Sequence, residues 1–509
     1  MIDVRTVAEV RAAEETAFAV TAEGTLMQRA ATGLAVTVTS LLGQATGSVV
    51  GSRVLLLVGS GNNGGDALWA GAMLAQRGCR VDALTLGQRW HQQGAAALLR
   101  AGGRLWSFGD ADLAELVASA DVVIDGILGI GGTGALRDDA AVLVEEVASS
   151  EALVVAVDIP SGIDADTGTV AGAAVHADVT VTFGALKPGL VVAPGSLHCG
   201  ATVLVDIGLE FTDEPAVRII EALDVAGYVP EPAADAYKYR RGVVGVSAGS
   251  GAYPGAALLA SGSARRANVG MPRFLDRSDG VSATVVTQFP DIVVDGTAPS
   301  AQSRIDAWAC GPGFPGDQDD DVTVSAVLVS PVPVILDAGA LSVVARSGEV
   351  RDAILKRSGS GRPTVLTPHE GEFERIWPGL LASSTGRLEA ATKAAQDVAA
   401  IVVLKGPGTV VAAPDGSAFV DTEGTSDLGT AGSGDVLTGL VAGLLAGAWA
   451  DGRRAMDDAL EAVASAVWLH GRAGRIAAHG GPVVATDLID ALPEAIRVAR
   501  FGDDAEYGR

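Results

Sequence analysis

Short runs of Val, Leu and Ile alternate with longer Ala- and Leu-rich segments along most of this chain, beginning with VLLLV at residues 54–58. Strands that are covered on both faces by crossover helices have this composition, so the alternation predicts α/β architecture with parallel sheets flanked by helices. Ligands of such sheets bind beyond the carboxyl ends of the strands. The residues that follow each apolar run are therefore the first candidates for a functional site.

The length of 509 residues predicts more than one domain, because single hydrophobic cores stop growing at about 250–300 residues. The strand–helix rhythm lapses at residues 210–236, where Pro and acidic residues cluster, and a second strand-rich series begins at Val243. We therefore predict two α/β domains, residues 1–216 and 226–509, joined by a linker. The first is expected to be a Rossmann-like three-layer α/β/α sandwich.

The formal net charge of −25 argues against nucleic acid or an anionic membrane as a partner, because the average field repels both. A phosphate ligand would then be held by local backbone donors. Three widely spaced cysteines and the lack of a secretory signal predict free thiols in a cytoplasmic protein. The longest apolar stretch, residues 436–450, is shorter than the roughly 20 residues of a membrane span, so we expect a buried helix.

The first apolar run is followed by GSGNNGGDA at residues 59–67, which we expect to form a strand-to-helix turn. Gly59, Gly61 and Gly64 satisfy the GxGxxG pattern of dinucleotide-binding turns, and Asp82 is predicted to end the next strand as a ribose partner. The pattern alone suits a dehydrogenase equally well, or a tight turn without a ligand.

Acidic side chains also end the next predicted strands, Asp125 in DVVID and Asp158 in VVAVD. Because parallel strands end at the same edge of a sheet, these residues are expected to lie near the NNGGD segment. Asn63, Asp125 and Ser161 would offer oxygen ligands that suit an alkali or alkaline-earth cation rather than zinc. Taken singly, each acid could instead cap a helix or form a turn.

Five segments together resemble the YjeF N-terminal family of NAD(P)H-hydrate epimerases: LMQRAA, GSGNNGGD, DGILGIGGTG, VDIPSGIDADTG and FGALKPGL. The resemblance implies that potassium is held by Asn63, Asp125 and Ser161. It implies contacts to a hydrated dinucleotide from Asn62, Asn63, Gly64, Gly65, Asp66, Gly129, Ile130, Gly131, Gly132, Thr133, Gly134, Ala135 and Asp158.

Asp158 is the candidate acid–base group that interconverts the two C6 epimers, since desolvation by a bound ring can raise the pKa of a carboxyl group into a useful range. One residue departs from the family pattern, Ala67, which stands where the family usually has Gly. Its methyl group could crowd the ligand, or be harmless within a helix.

In the second half, GTAGSGDVLTG at residues 429–439 precedes a strongly apolar helical segment. Backbone amides of Gly432, Ser433 and Gly434 would face a phosphoryl group, with the helix dipole adding attraction. Asp435 would open the helix and accept a proton from an attacking hydroxyl group. Read alone, the motif is equally a helix N-cap at Asp435 with two turn glycines.

Further motifs follow apolar runs, and with GTAGSGD they resemble the ribokinase-like fold and, within it, the ADP- or ATP-dependent NAD(P)H-hydrate dehydratases: VSAGSGAYPGAALL, CGPGF, LDAGAL, LTPHEGEF and VLKGPGT. The resemblance implies that Asp435 is the base. It implies a hydrated substrate lined by Ala256, Gly313, His369 and Asp435, and a nucleotide held by Lys405, Gly406, Pro407, Gly408, Thr409 and Gly434.

Taken alone, His369 could be purely structural. Two residues depart from the dehydratase pattern: Gly339, where many relatives carry a second Asp, and Ser433, where Thr is common. The first departure puts metal coordination at that position in doubt.

The two resemblances imply a bifunctional repair enzyme that acts on hydrated NADH and NADPH. The first half would interconvert the R and S forms with potassium bound. The second would transfer a phosphoryl group from ADP or ATP, with Mg²⁺, to the S form, and loss of phosphate would restore the double bond; the fused architecture favours ADP. We also expect a homo-oligomer. The alternative is a ribokinase-like small-molecule kinase with a non-catalytic N-terminal binding module.

Overall fold

The computed structural model describes residues 1–109, 112–229, 237–277, 280–296 and 304–502. The chain divides into an N-terminal unit, Asp3–Pro215, and a C-terminal unit that comprises Ala216–Arg509 together with Met1–Ile2. Residues 230–236 of the predicted linker lie outside the described residues.

The N-terminal unit contains a fully parallel seven-stranded sheet with helices on both faces. The first strands of the chain are β1 (Ile2–Val4), β2 (Arg53–Val58), β3 (Arg80–Thr85), β4 (Arg104–Ser107), β5 (Val122–Gly126), β6 (Leu153–Val157), β7 (Val179–Phe183) and β8 (Ala201–Val205). The helices are α1 (Val7–Val20), α2 (Thr25–Thr46), α3 (Asn62–Gln76), α4 (Gln92–Arg100), α5 (Leu113–Ala118), α6 (Asp138–Ala148) and α7 (Pro188–Val191).

The strands of this sheet lie in the order β4-β3-β2-β5-β6-β7-β8. Side chains of successive strand residues point to opposite faces. Leu56 and Val58 therefore join the hydrophobic cluster that contains α2 and α3, while Leu55 and Leu57 pack with α6 on the other face. This arrangement is the predicted three-layer α/β/α sandwich, and it brings the carboxyl ends of β2, β5 and β6 side by side.

The C-terminal unit is built on a larger, mixed sheet. Its strands are β9 (Val217–Ile219), β10 (Val243–Ser247), β11 (Met271–Leu275), β12 (Val293–Asp295), β13 (Ala307–Cys310), β14 (Val334–Leu336), β15 (Thr364–Leu366), β16 (Ile401–Leu404), β17 (Val410–Ala412) and β18 (Ala418–Val420). The helices are α8 (Ala222–Tyr228), α9 (Pro254–Arg266), α10 (Val281–Gln288), α11 (Gln318–Leu328), α12 (Gly339–Arg346), α13 (Gly348–Ser358), α14 (Glu370–Ile376), α15 (Leu380–Ser383), α16 (Arg387–Val398), α17 (Ser433–Ala450), α18 (Met456–Ala478) and α19 (Ala485–Phe501).

Strands of this second sheet follow the order β9-β18-β17-β16-β15-β14-β13-β10-β11-β12. The strands from β16 to β12 are parallel, as predicted, but β17 is antiparallel to both β16 and β18. The difference has a simple cause, because the short loop between β16 and β17 cannot hold the crossover that parallel pairing requires.

Helix α17 is the centre of the C-terminal core, where it packs against α9 and α18. Among the residues that the structure describes, it alone is long and apolar enough to cross a membrane by length and composition, yet 78% of it is buried inside the protein. The apolar stretch is therefore a buried core helix, as predicted. Cys79, Cys199 and Cys310 are free and buried, which also agrees with the prediction.

Candidate active sites

A cavity of about 1360 Å³ opens at the carboxyl edge of the N-terminal sheet. Its walls come from α1, α2, the start of α3 and the loop that follows β5. Eight residues of the predicted epimerase site line it: Asn62, Asn63, Asp66, Gly129, Ile130, Gly131, Gly132 and Asp158. The remaining ones are not among its lining residues: Gly64, Gly65, Thr133, Gly134 and Ala135.

Two glycines of the first motif serve close backbone packing. A Cβ atom on Gly59 would lie 1.9 Å from the carbonyl oxygen of Ile127, and one on Gly64 would lie 2.3 Å from the carbonyl oxygen of Gly59. Helix α3 begins at Asn62, earlier than predicted, so Gly64 and Gly65 lie in its first turns rather than in the preceding loop. These glycines let the helix, the turn and the loop after β5 approach one another.

Ala67 does not face the ligand cavity. Its side chain is fully buried, and a Cβ atom placed on Gly126 would lie 2.7 Å from the Ala67 methyl carbon. The methyl group therefore fills space between α3 and β5, and the departure from the family pattern is harmless to the cavity.

The prediction that Asp82 ends the strand after the first motif is wrong. Strand β3 continues to Thr85, and Asp82 faces β4 from its interior. Its carboxylate accepts hydrogen bonds from Trp106 Nε1 at 2.7 Å and Arg104 Nη2 at 2.9 Å. Both partners belong to the neighbouring strand. Asp82 is therefore not placed like the acid that follows the GxGxxG turn in a dehydrogenase.

Asp125, Ser161 and Asn63 lie beneath the loop that follows β5. The fully buried Asp125 carboxylate accepts hydrogen bonds from Ser161 Oγ at 2.7 Å, Ser161 N at 2.8 Å and Ile127 N at 3.2 Å. Burial raises the pKa of Asp125 to about 6, although these bonds oppose the rise. Within the described part of the chain, no cationic side chain forms an ion pair with it.

The Asn63 side chain completes this group of oxygen atoms. A Cβ atom on Gly129 would lie 2.9 Å from Asn63 Oδ1, which puts that oxygen against the loop. The Nδ2 atom of Asn63 is buried and has no hydrogen-bond partner. A buried carboxylate without a counter-charge, next to amide and hydroxyl oxygens, has the chemistry of a site for a hard cation.

Asp158 follows β6 in a left-handed backbone conformation, with φ of +66°, which non-glycine residues adopt at a cost and often at functional sites. Its Oδ1 atom lies 2.7 Å from Lys187 Nζ and 3.2 Å from Thr182 Oγ1. Lys187 is 1% exposed and also donates to Thr182 Oγ1 and to the carbonyl of Phe183, both at 2.9 Å. Lys187 is thus the cationic partner that holds the Asp158 carboxylate in place.

Lys187 was not predicted as a site residue, although the lysine of FGALKPGL stands alone in an otherwise apolar segment. Glu14 of α1, which lines the cavity together with Asp66, was not predicted either. Burial and the negative charge of Asp158 raise the pKa of both Glu14 and Asp66. No motif pointed to α1, because its cavity-facing residues are spaced at ordinary helical intervals.

In the C-terminal unit, Asp435 lies in the first turn of α17. The N-cap is Gly432, with φ of +87°, so Asp435 is not the cap of this helix. The amide of Ser433 donates to the carbonyl of Thr430 at 3.3 Å and is not directed at a ligand, which corrects the prediction for this amide. The next amides, of Gly434 and Asp435, belong to the helix turn that lacks intrahelical acceptors.

Asp435 lies within a group of charged side chains. Burial raises the pKa of Asp435 to about 6, the carboxylates of Asp337 and Glu372 add to the rise, and the charge of Lys405 opposes it. Because Asp435 is only partly buried, it remains open to solvent and to a ligand. A carboxylate with this pKa is suited to accept a proton near neutral pH.

Lys405 joins four motifs of the C-terminal unit. Its Nζ atom lies 3.0 Å from Asp337 Oδ1 and 3.9 Å from Glu372 Oε2, and a Cβ atom on Gly434 would lie 3.2 Å from it. Burial lowers the pKa of Lys405, but the three surrounding carboxylates outweigh this and raise it overall. Asp337 was missed from sequence although LDAGAL had been singled out; Thr438 Oγ1 also donates to it at 2.7 Å.

The loop between β16 and β17 contains the other residues that the resemblance assigned to the nucleotide. Thr409 Oγ1 donates to the carbonyl of Gly406 at 3.0 Å, which closes the loop into a turn. The buried Arg387 supports it by donating to the carbonyl of Lys405 at 3.0 Å. Gly406 and Gly408 have positive φ angles, and Pro407 stands between them.

Ala256 and Gly313 face each other at the start of α9. A Cβ atom on Gly313, whose φ is +68°, would lie 2.7 Å from the Ala256 methyl carbon. His369 is the N-cap of α14, where its Nδ1 atom accepts from Gly371 N at 3.0 Å, while its side chain is 54% exposed. His369 therefore has a structural role as a helix cap, while the outer edge of the ring stays open to a ligand.

The absence of a second Asp at position 339 has a steric reason. A Cβ atom on Gly339 would lie 2.5 Å from Phe314 Cβ and 2.7 Å from the carbonyl oxygen of Phe314. An aspartate could enter only if this segment moved, and the carboxylates near Lys405 are those of Asp337, Glu372 and Asp435.

Comparison with known proteins agrees with this division into two sites. A family model described as YjeF-related protein N-terminus matches residues 23–189, and one described as NAD(P)H-hydrate dehydratase matches residues 244–494. The bifunctional NAD(P)H-hydrate repair enzyme Nnr of Mycobacterium tuberculosis is 42% identical over 450 residues, which cover 88% of this chain and 89% of that protein. The Mycobacterium leprae enzyme of the same name is 41% identical and covers 94% of each chain.

Among solved structures, the ADP/ATP-dependent NAD(P)H-hydrate dehydratase of Bacillus subtilis, co-crystallised with ATP and Mg²⁺, is 31% identical. It covers 55% of this chain and 98% of its own, with a TM-score of 0.47. The identity and coverage of the mycobacterial proteins show that this chain belongs to the family of bifunctional NAD(P)H-hydrate repair enzymes.

Proposed function

We propose that this chain repairs hydrated NADH and NADPH in two steps. The N-terminal unit interconverts the R and S epimers at C6, and the C-terminal unit dehydrates the S epimer with ADP or ATP as phosphoryl donor. Family membership supports both activities. The single observation that carries the proposal is the half-buried Asp435 in the first turn of α17, with the cation of Lys405 beside it.

In the dehydration, Asp435 accepts the proton of the C6 hydroxyl group while the hydroxyl oxygen attacks the terminal phosphorus of the nucleotide. The phosphoanhydride bond breaks, and AMP or ADP leaves. The C6–O bond of the phosphorylated ring then breaks, phosphate departs, and loss of a proton from C5 restores the double bond. The first-turn amides of Gly434 and Asp435 would hold the phosphoryl oxygens, and each such donor is worth about 3 kcal/mol in a transition state.

Two groups of residues would bind the ligands of this step. The hydrated ring would contact Ala256, Gly313, His369 and Asp435, and the nucleotide would contact Lys405, Gly406, Pro407, Gly408, Thr409 and Gly434. The proximity of Lys405 to Gly434 and of Ala256 to Gly313 supports this division. Mg²⁺ would accompany the nucleotide and neutralise part of its charge, in a site where Asp337 already uses both carboxylate oxygens for Lys405 and Thr438.

In the epimerisation, Asp158 is the proposed acid–base group. Its ion pair with Lys187 at 2.7 Å positions the carboxylate, which would accept the proton of the C6 hydroxyl group. The hydrated dinucleotide would bind in the cavity of the N-terminal unit, against Asn62, Asn63, Asp66 and residues 129–132. The other residues that the resemblance assigned to this ligand do not line the cavity. They would instead fix the course of the backbone around it.

The oxygens of Asn63, Asp125 and Ser161 would hold potassium. The support is the buried Asp125 carboxylate, for which no cationic partner is present in the described residues. Bound potassium would supply a positive charge that neutralises Asp125 and attracts the anionic dinucleotide. KCl should raise the unfolding temperature of the wild type more than tetramethylammonium chloride does, and Asp125→Asn should remove the difference. An equal response of both proteins would exclude this site.

The experiment that tests both activities adds purified protein to a racemic mixture of hydrated NADH with ADP or ATP. Recovery of the full reduced-nicotinamide absorbance, with one inorganic phosphate released per ring, is expected. Asp435→Asn should give no recovery, and Asp158→Asn should recover only the share of the S epimer. Accumulation of a stable phosphorylated product without absorbance would instead identify a small-molecule kinase. The homo-oligomer stays a prediction, which light scattering of the purified protein would test.

A further inference from the structure

Asp66 is a buried carboxyl group in the cavity wall of the N-terminal unit. It lies on the first turns of α3, is 8% exposed and lines the cavity together with Asp158. No hydrogen bond or ion pair to its carboxyl oxygens is present among the residues that the structure describes. Because Asp66 lines the cavity and its oxygens have no protein partner there, the carboxyl group is free to contact a ligand.

The charges around Asp66 are mostly negative. Asp158, from the end of β6, and Glu14, from α1, line the same cavity. The cation of Lys187 is bound to Asp158 at 2.7 Å, and Arg11 of α1 stands beside Glu14. From α4, His91 approaches the neighbouring Gly65, but its Nδ1 atom accepts from Gly94 N and caps that helix.

The surroundings of the two aspartates differ. Burial, followed by the charges of Asp158 and Glu14, raises the pKa of Asp66 well above its ordinary value, which favours its protonated form. Asp158 is instead paired with the cation of Lys187 at 2.7 Å. Two carboxyl groups of one cavity in such different environments are the combination that general acid–base catalysis uses.

We infer that Asp66 is the second catalytic residue of the N-terminal site, the general acid that works together with the base Asp158. The inference rests on the proposed epimerisation. Asp158 takes the proton of the C6 hydroxyl group, C6 becomes an aldehyde carbon, and the C6–N1 bond breaks while Asp66 donates its proton to N1. Rotation about the C5–C6 bond exposes the other face of the aldehyde. N1 then attacks it, Asp66 recovers its proton, and Asp158 returns one to the oxygen.

The test follows epimerisation of the pure R hydrate between pH 5 and 9 without nucleotide, with quenched samples separated by chromatography. For the wild type, the rate should fall at alkaline pH as Asp66 loses its proton. Asp66→Asn keeps the shape of the side chain but cannot donate that proton, so the rate should drop by about 100-fold or more and the alkaline limb should disappear. The exposed Glu15→Gln, outside the cavity, is the matched control and should behave as the wild type.

Glu14→Gln gives a second measurement that does not depend on the stability of the Asp66 variant. Removal of the Glu14 charge should lower the pKa of Asp66 and move the alkaline limb to lower pH. A wild-type rate in Asp66→Asn, or an unmoved limb in Glu14→Gln, would overturn the inference. Absence of epimerisation by a wild-type protein that still dehydrates the S hydrate would instead refute the proposed epimerase activity itself.

Discussion

Each unit contains a lysine near its proposed acid–base group, but the two lysines have different partners. The buried Lys187 pairs directly with Asp158 at 2.7 Å. The partly buried Lys405 pairs with Asp337 at 3.0 Å, and its effect on the pKa of Asp435 is outweighed by burial and the neighbouring acids. One proposed base thus has a cation bound to it, whereas the pKa of the other is raised to about 6.

Replacing Lys187 with Met should therefore slow epimerisation. Asp158 would lose the cation that positions its carboxylate at 2.7 Å, so the rate at pH 7 should fall by about 100-fold. Removing one partner of a buried pair should also lower the free energy of unfolding by about 3 kcal/mol, measured in urea. Dehydration of the S hydrate by the same protein is the internal control. A wild-type rate of epimerisation in Lys187→Met would contradict this role of Lys187.

The pKa of Asp435 leads to a prediction for the dehydratase. Because the base must be deprotonated, the rate should rise with pH and reach half of its maximum at about pH 6. Glu372→Gln removes a negative charge that raises the pKa of Asp435 but keeps an acceptor for the amide of His369. The rising limb should therefore move to lower pH, measured as kcat with saturating nucleotide. Movement to higher pH would show that another group titrates.

The sequence pointed to the proposed acid–base carboxylates more readily than to their partners. Asp158 and Asp435 were singled out because each follows or opens a predicted element inside a glycine-rich motif. Lys187 and Asp337 were missed as site residues because their roles depend on distances in space between residues 29 and 68 positions apart in the chain. Asp66 was assigned to ligand binding, but its protonation depends on burial and on Glu14, which no local pattern reveals.

At the level of elements, the alternation of apolar and helical segments was enough to predict strands, helices and the parallel order of most pairs. Two local features were not predicted. Strand β17 is antiparallel because its connection to β16 is short. Helix α3 begins at Asn62 rather than beyond the glycines, because α3 must approach Gly59 at a distance that only glycine allows at position 64. Glycine-rich motifs thus reveal a turn but not the residue at which a helix begins.

At the level of elements, a substitution at the start of α17 should affect both stability and dehydration. Gly432 has φ of +87°, and a Cβ atom there would lie 2.4 Å from Leu259 Cδ1. Gly432→Ala should lower the free energy of unfolding by about 1–2 kcal/mol for the left-handed backbone alone. The clash should also displace the first turn, which holds Gly434 and Asp435, so kcat of the dehydratase should fall while epimerisation is unchanged.

Gly452, just beyond the other end of α17, provides a matched control. It has the same φ of +87°, but a Cβ atom there would meet nothing within 4 Å. Gly452→Ala should show a similar loss of stability in chemical denaturation and a wild-type kcat. Equal losses of dehydratase activity in both variants would mean that stability, rather than the position of the first turn, controls the rate.

At the scale of the whole molecule, an acidic protein with a net charge of −25 acts on anionic ligands. The average field opposes their approach, so binding depends on local donors such as the amides at the start of α17 and the cation of Lys405. Each unit has its own such site, built from its own residues. The two activities should therefore be separable by single substitutions.

If the two activities are separable, two variants that each lack one activity should complement each other when they are mixed. Asp158→Asn alone should convert the S share of a racemic hydrate and then slow to the uncatalysed rate of epimerisation, which a sample without protein measures. Asp435→Asn alone should restore no absorbance. An equimolar mixture should restore all of it, at the rate of wild-type protein at half the total concentration, because the S hydrate leaves one site and reaches the other through solution. If the mixture performs no better than Asp158→Asn alone, the hydrate must pass between sites of one chain, and the fusion itself would be part of the mechanism.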